Sequence, residues 1–316
     1  MADDGREGLL DLLLRRPERA ERDTLARWVP AWREANAACA RFGPYVSAIA
    51  AALRADRMAW AFFSGYQGAL SAGFMRGQAN EARRTAAFCA NESGRKLTEI
   101  TTALQDAADG WCLHGRKSWM PAGVDDLFVL ARAAHGPATG PGSLVVVRVA
   151  ADAQGVTPSA PRPQAIVPEF PHGEVAFDDV FVPRGQLLEG DGYRDYARPF
   201  RLREDVFVTG CTLAFLLAEG HRAGWPTSWR QRCIAVVLAL GQCASRSAAD
   251  TRTEVLVAGT LSLAGEVIEA ADALWPTGSE DGARWCRDRP VLGGGKEARR
   301  QRAISAWARV GWASSR

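Results

Sequence analysis

Asp109-Gly110-Trp111-Cys112-Leu113-His114-Gly115-Arg116-Lys117-Ser118-Trp119 decides how the rest of the chain is read. Asp-Gly is a tight-turn pair, because both residues tolerate the positive φ that short hairpin turns require. Trp111 to Trp119 reads as a strand, and Thr98 to Leu104 as the strand before the turn. Asp106 to Gly110, which lack strand formers, separate them. Further runs at Leu127 to Ala131 and Leu144 to Val149 flank the Gly/Pro-rich Gly136 to Gly142. A fifth, Glu174 to Val182, alternates Val175 and Phe177, breaks at Asp178-Asp179, resumes with Val180 and Val182, and stops at Pro183. Five short runs punctuated by turns predict a compact antiparallel β domain.

On either side the period changes from two to between three and four. Leu9 to Leu14 predicts a short helix that ends before Pro17. Glu21 to Arg41 predicts a second, with Trp28 and Trp32 on one face and Pro30 as a restart or kink. Tyr45 to Met75 is the richest helical stretch, and Gly65, Gly68 and Gly73 either divide it or allow close packing. Arg76 to Arg84 reads as the connection into the β domain. After Gly185, Gly190 and Gly192, helices are expected over Leu202 to Ala218, from a Ser228 cap through Cys243, over Ala249 to Leu274, and over Lys296 to Val310. The expected division is 1–84, 85–193 and 194–316: helical domain, β domain, helical bundle, an α+β class.

With 47% hydrophobic and 24% charged residues the chain is an ordinary globular sequence and not a disordered one. A net charge of +3 is too small to imply a nucleic-acid or membrane partner. The seven cysteines are scattered without a Cys-x-x-Cys pair, which points to mostly buried thiols in a reducing compartment. The amino terminus does not read as a signal peptide, and no segment approaches the roughly twenty apolar residues that cross a bilayer. A cytoplasmic enzyme or enzyme relative is expected.

Asp109-Gly110, His114-Gly115-Arg116-Lys117-Ser118-Trp119 and Phe177-Asp178-Asp179-Val180-Phe181-Val182-Pro183, in this order and spacing, resemble the middle domain of the acyl-CoA dehydrogenase family. Phe88-Cys89-Ala90-Asn91-Glu92 stands where that family has an aromatic-x-x-Thr-Glu strand end. The resemblance covers the central third by motif and the flanks by helical pattern. It implies a flavin ring, from FAD, held between the β domain and the last helical bundle, and a homodimer or homotetramer that shares cofactor sites. It also implies an acyl-CoA thioester substrate oxidised at its α,β bond. Carried over, the flavin contacts are Phe88, Ala90 and Asn91 from the first segment and Trp119, Met120 and Pro121 from the second. Asn91 replaces a threonine and keeps hydrogen-bonding capacity, whereas Pro121 replaces a threonine and has neither hydroxyl nor N–H. The phosphate-cradling turn is reduced to Ser93-Gly94-Arg95-Lys96.

Most of the family carries its catalytic carboxylate near the carboxy terminus in a Tyr-Glu-Gly-Thr loop, which is missing here. A smaller branch carries it on the first helix of the last domain, and Glu204 falls in that register, with Asp205 where arginine is usual. Glu204 is therefore the candidate base, against the ordinary preference for acids in a first helical turn. Arg284, Arg287, Arg289, Lys296, Arg299, Arg300 and Arg302 are either an anion site or a solvated face. Gly293-Gly294-Gly295 reads as a linker and not as a Walker loop. His114, His135, His172 and His221 lie apart without metal-ligand spacing, so no metal is expected. Trp285, Trp307 and Trp312 suggest core or subunit interface. Two alternatives stand beside the dehydrogenase: a degenerate member kept as a binding or assembly module, and a flavin monooxygenase of the same fold.

Overall fold

In the computed structural model, which describes residues 4–75, 84–137, 140, 142–162 and 164–311, the stretch quoted above lies in one long strand. That strand is β3 (Gly110–Pro121) of a sheet with β1 (Ala86–Cys89), β2 (Ala103–Ala107), β4 (Asp126–Arg132), β5 (Leu144–Ala150), β6 (Val156–Pro158) and β7 (His172–Pro183). The strand order is β1-β4-β2-β3-β7-β6, with β5 paired to β4. β2 and β3 make the expected hairpin, but its two-residue loop is Ala108-Asp109 and not Asp109-Gly110: Gly110 already pairs with Ala107, and neither Asp109 nor Gly110 takes a positive φ.

The first strand of that hairpin starts later than its residue types predict. Leu97–Glu99 form a 3-10 turn and the ladder begins at Ala103. The cause is Glu92, whose carboxylate takes the N–H and hydroxyl of both Thr101 and Thr102 at 2.7–3.0 Å, so these donors are not available to a neighbouring strand. The sheet is also mixed, because β1 runs parallel to β4. Hydrophobic alternation does not encode strand direction, so this was not legible. β4 is buried on both faces. Leu127, Val129 and Ala131 join Leu113, Val147, Val175 and Val180 in one core, while Phe128 meets Phe74, which also packs on Phe88, Tyr196 and Phe200.

Two bulges interrupt the β3·β7 ladder. Leu113 faces Val180 but Gly115 faces Phe177, so β7 carries one extra residue opposite His114; Ser118 faces Glu174 but Met120 faces Gly173, so β3 carries the extra residue Trp119. Asp179 (φ 50°) and Trp119 (φ 62°), at the two bulges, both take the left-handed conformation that non-glycine residues rarely adopt.

Contacts divide the described chain into two units, residues 73–164 with 170–201, which hold the whole sheet, and residues 4–72, 165–169 and 202–311. The second is helical, with α1 (Asp4–Leu14), α2 (Leu25–Cys39), α3 (Pro44–Leu53), α4 (Met58–Phe74, to residue 72), α5 (Arg198–Ala223, from residue 202), α6 (Thr227–Ala244), α7 (Thr251–Ala271), α8 (Glu280–Asp288) and α9 (Lys296–Arg309). Helices from both ends of the chain thus share one unit.

The expected 45–75 helix does divide, but at Arg54–Arg57 and not at its glycines: there Ala20 donates to Arg54 O at 2.8 Å and bridges Ala55. Gly65 instead permits close packing, since a Cβ on it would lie 2.6 Å from Val208 Cα of α5. α2 continues through Pro30. α5 starts four residues before Leu202, and α6 starts at Thr227 with Pro226 at the cap position expected of Ser228. α8 was not foreseen; its Ser279 cap accepts from Gly282 N–H at 3.0 Å. The connection predicted over Arg76 to Arg84, except Arg84, and the tail residue Trp312 lie outside the described residues. Among the described residues no helix is long and apolar enough to cross a membrane.

Candidate functional site

The end of β1 and the Trp119 bulge of β3, the two segments expected to meet a flavin, are brought together. Ser118 N–H donates to Asn91 O at 2.9 Å. Trp119, thrown out of the ladder by the bulge, leaves its indole 68% exposed. Beside it the Ser118 hydroxyl is buried and has no partner among the described residues. Ala90, Met120 and Pro121 are buried, and the Met120 side chain belongs to the β core. Phe88 packs against Phe74 and Phe200, and Asn91 Oδ1 receives a long contact from Arg201 at 3.5 Å. Pro121 faces His172 across the ladder. Burial holds His172 down at about 4, against a bond to the Phe170 backbone, so its imidazole is neutral near pH 7. A cleft of about 490 Å³ opens next to this segment, lined by Met120, Gly123, Val124, Leu127 and Gly173 among others.

A buried ion pair supports both segments. Lys117, two residues before Trp119, has a fully buried side chain whose Nζ lies 3.1 Å from Glu92 Oε1. Burial alone would raise the Glu92 carboxyl; the donors on Thr102 and Thr101, followed by Lys117, hold it at about 2 instead. Burial pulls the Lys117 ammonium below its ordinary value, and Glu92 opposes that pull. The shortened phosphate turn follows directly. Gly94 supplies its positive φ (73°), Arg95 N–H bonds back to Glu92 O at 3.2 Å, and the Arg95 guanidinium is drawn to Glu99 O and Glu92.

Glu204 lies half-buried in the second turn of α5. Because that helix begins at Arg198, the end-of-helix preference for acids, which fades beyond the first turn, does not account for a glutamate there. Its neighbour Asp205 binds Arg299, at 3.0 Å, and Arg302. Much of the basic cluster is engaged in the same way: Arg284 with Glu280 and Asp281, Arg287 with Glu169 and Asp288, Arg289 with Asp272, Arg300 with Glu297. The six arginines of the cluster are thus engaged in ion pairs within the chain. Gly293-Gly294-Gly295 joins a 3-10 turn to α9, with Gly295 left-handed. Trp285 is core, its Nε1–H donating to Asp272 at 2.8 Å, and Trp307 is partly exposed.

The histidines do not all stand apart. His114 Nε2 lies 3.1 Å from Asp179 Oδ1, and Cys112 Sγ lies 3.5 Å from the same oxygen. Sequence spacing concealed this, because the third residue comes from a neighbouring strand and from the bulge in its register.

No family model matches the chain. Over 151 residues it is 34% identical to benzylmalonyl-CoA dehydrogenase of Aromatoleum aromaticum, a match of 45% of this chain and about two fifths of that relative's length. Butyryl-CoA dehydrogenase from Megasphaera elsdenii superposes at TM-score 0.68 with 15% identity, covering 97% of both chains. The chain has the acyl-CoA dehydrogenase fold. Glutaryl-CoA dehydrogenase from Mycobacterium smegmatis agrees at TM-score 0.61, 14% identity, and 99% and 95% coverage. PigA, solved with FAD and proline, reaches 0.64 at 14% identity, covering 98% of this chain and 97% of its own. The acyl-CoA dehydrogenase resemblance read from the motifs, and its α+β class, therefore hold.

Proposed function

We propose that this protein is an FAD-dependent oxidoreductase that removes hydrogen from the α,β bond of an acyl-CoA thioester. The observation that carries the reading is the Trp119 bulge. An exposed indole held at φ 62° is a strained arrangement, and such strain persists where the surrounding structure enforces it, most often at ligand sites. The orphaned Ser118 hydroxyl beside it and the Asn91 side chain offer polar partners for a flavin edge. Pro121 offers none, so the fit is poorer at that one position. FAD bound there would supply a two-electron acceptor. Trp119 would stack on the ring, the Asn91–Ser118 backbone bond would keep the two contacting segments in register, and Glu204 would take the proton from the substrate α carbon. The names of the similar proteins, benzylmalonyl-, butyryl- and glutaryl-CoA dehydrogenases, support a thioester substrate, and the shared fold supports a homodimer or homotetramer.

Absorption spectra after incubation with FAD and gel filtration test the cofactor. Protein that retains a flavin band supports the reading; protein that stays colourless refutes it and favours a binding module. Anaerobic addition of acyl-CoA thioesters then tests the substrate, and bleaching of the band is the expected result. Glu204→Gln should keep the flavin and slow bleaching by about 10²–10⁴-fold. Unchanged bleaching in that variant would remove Glu204 from the chemistry.

A further inference from the structure

Cys112 and His114 lie two residues apart on β3 and therefore project from one face of the sheet. That face is not the core: Leu113 between them points inward and is fully buried. Opposite His114, β7 carries its extra residue, and the left-handed Asp179 is turned onto the same face. Bulges re-aim side chains in this way. Cys112 Sγ, His114 Nε2 and an Asp179 carboxylate oxygen all lie within 4.8 Å of one another. Of the two oxygen-centred distances, 3.5 Å to sulfur falls within the edges of a tetrahedral zinc site and 3.1 Å to nitrogen lies slightly under them, where bond lengths of about 2.0 Å to N or O and 2.3 Å to S place those edges at roughly 3.3–3.6 Å.

We infer that Cys112, His114 and Asp179 form a binding site for a borderline divalent transition-metal ion of the Zn²⁺ type, completed by solvent. The donor set suits that class: one thiolate, one imidazole and one carboxylate, with a mixture too soft for Mg²⁺ or Ca²⁺. Asp179 is 77% exposed and His114 33%, so the fourth position opens to water and the ion can enter without unfolding. Coordination displaces the thiol proton of Cys112 to solvent, leaving the sulfur as the anionic ligand. The ion would pin β3 to the bulge of β7. This site is separate from the flavin reading and stands or falls without it.

Co²⁺ is the probe, because a cobalt–thiolate bond gives a charge-transfer band in the near ultraviolet. The full chain, freed of metal with a chelator and titrated with CoCl₂, should develop that band to saturation at one ion per chain, and ZnCl₂ should abolish it. Cys112→Ser should remove the band, and His114→Asn and Asp179→Asn should each weaken Co²⁺ binding about tenfold or more. Cys286→Ser, at an exposed thiol on α8, should leave it intact. Zn²⁺ should raise the melting temperature of the parent protein but not of His114→Asn, whose folding circular dichroism checks. A titration without a saturable band, a band that survives Cys112→Ser, or one lost with Cys286→Ser would overturn the assignment and leave a hydrogen-bonded His–Asp pair.

Discussion

Glu92 is an acid that the fold keeps ionised by surrounding it with donors. Two backbone N–H groups, two hydroxyls and one ammonium converge on a carboxylate that is almost fully buried. Lys117 has no comparable alternatives, because its side chain reaches no solvent. Glu92→Ala should therefore cost about 3–5 kcal/mol in urea unfolding, the range for stranding one member of a buried pair, whereas a surface acid such as Glu280 should cost less than about 1 kcal/mol. The same network has a pH signature. The folded state holds Glu92 at about 2 against an ordinary 4.5, so its stabilisation is complete above the ordinary value and is lost as pH falls from about 4.5 toward 2. Asp281, held at about 2 chiefly by Arg19, adds a loss in the same direction. Urea midpoints measured across this interval should drop steeply in the parent protein and less steeply in Glu92→Gln. Little of this could be read beforehand: Glu92 was recognised only as part of a motif, and Lys117, as a lysine in an alternating strand, gave no sign that it would be buried.

At the scale of elements, glycine plays two opposite parts in two of the helices. On α4, Gly65 is a contact point where the backbone of α5 comes within 2.6–2.8 Å of the position a Cβ would take. Backbone cannot step aside as a flexible side chain can, so Gly65→Ala should destabilise by about 1–3 kcal/mol. On α7, Gly265 is exposed and nothing lies within 4 Å of its missing Cβ. There the substitution removes only the entropy penalty of glycine in a helix, and Gly265→Ala should stabilise by about 0.4–1 kcal/mol. Thermal melts of the two variants should move in opposite directions. Sequence could not separate these glycines, because both sit in helical runs and only the partner helix distinguishes them. What sequence carried well was local: the β2–β3 hairpin, though its loop sits one residue earlier than Asp109-Gly110, the break at Pro183, and an α9 start at Lys296 as expected. What it missed depended on distant partners, namely the delayed β2, the parallel β1·β4 pair and the short α8.

Among the described residues burial is unevenly distributed over the α-helices, and α9 marks the low end. Its one buried residue is Ala306; its attachment runs through Arg299 and Arg302 to Asp205 of α5 and through Arg309 to Glu254 of α7. The helical core beyond it is held differently, by Trp28 stacked on Trp60, by Tyr45 bonded to Val237 O, and by Trp225, Trp229, Trp275 and Trp285 packed edge to face and face to face. Apolar contacts of that kind are insensitive to ionic strength, whereas part-exposed ion pairs weaken as salt screens them. Asp205 sharpens the contrast. Burial pushes its carboxyl above the ordinary value, with Arg302 and Arg299 pulling it back, so replacing it by asparagine removes a desolvation cost together with the ion pairs. The two effects oppose each other in global stability but not in docking, where only the lost bonds count. Asp205→Asn should therefore leave the main thermal transition nearly in place while amide hydrogen exchange across 296–309 speeds up about tenfold, the worth of one charged hydrogen bond of roughly 1.5 kcal/mol. Added salt should reproduce that local change in the parent protein and do little more in the variant. Equal acceleration in α5 and α6 would show instead that α9 is part of the cooperative core.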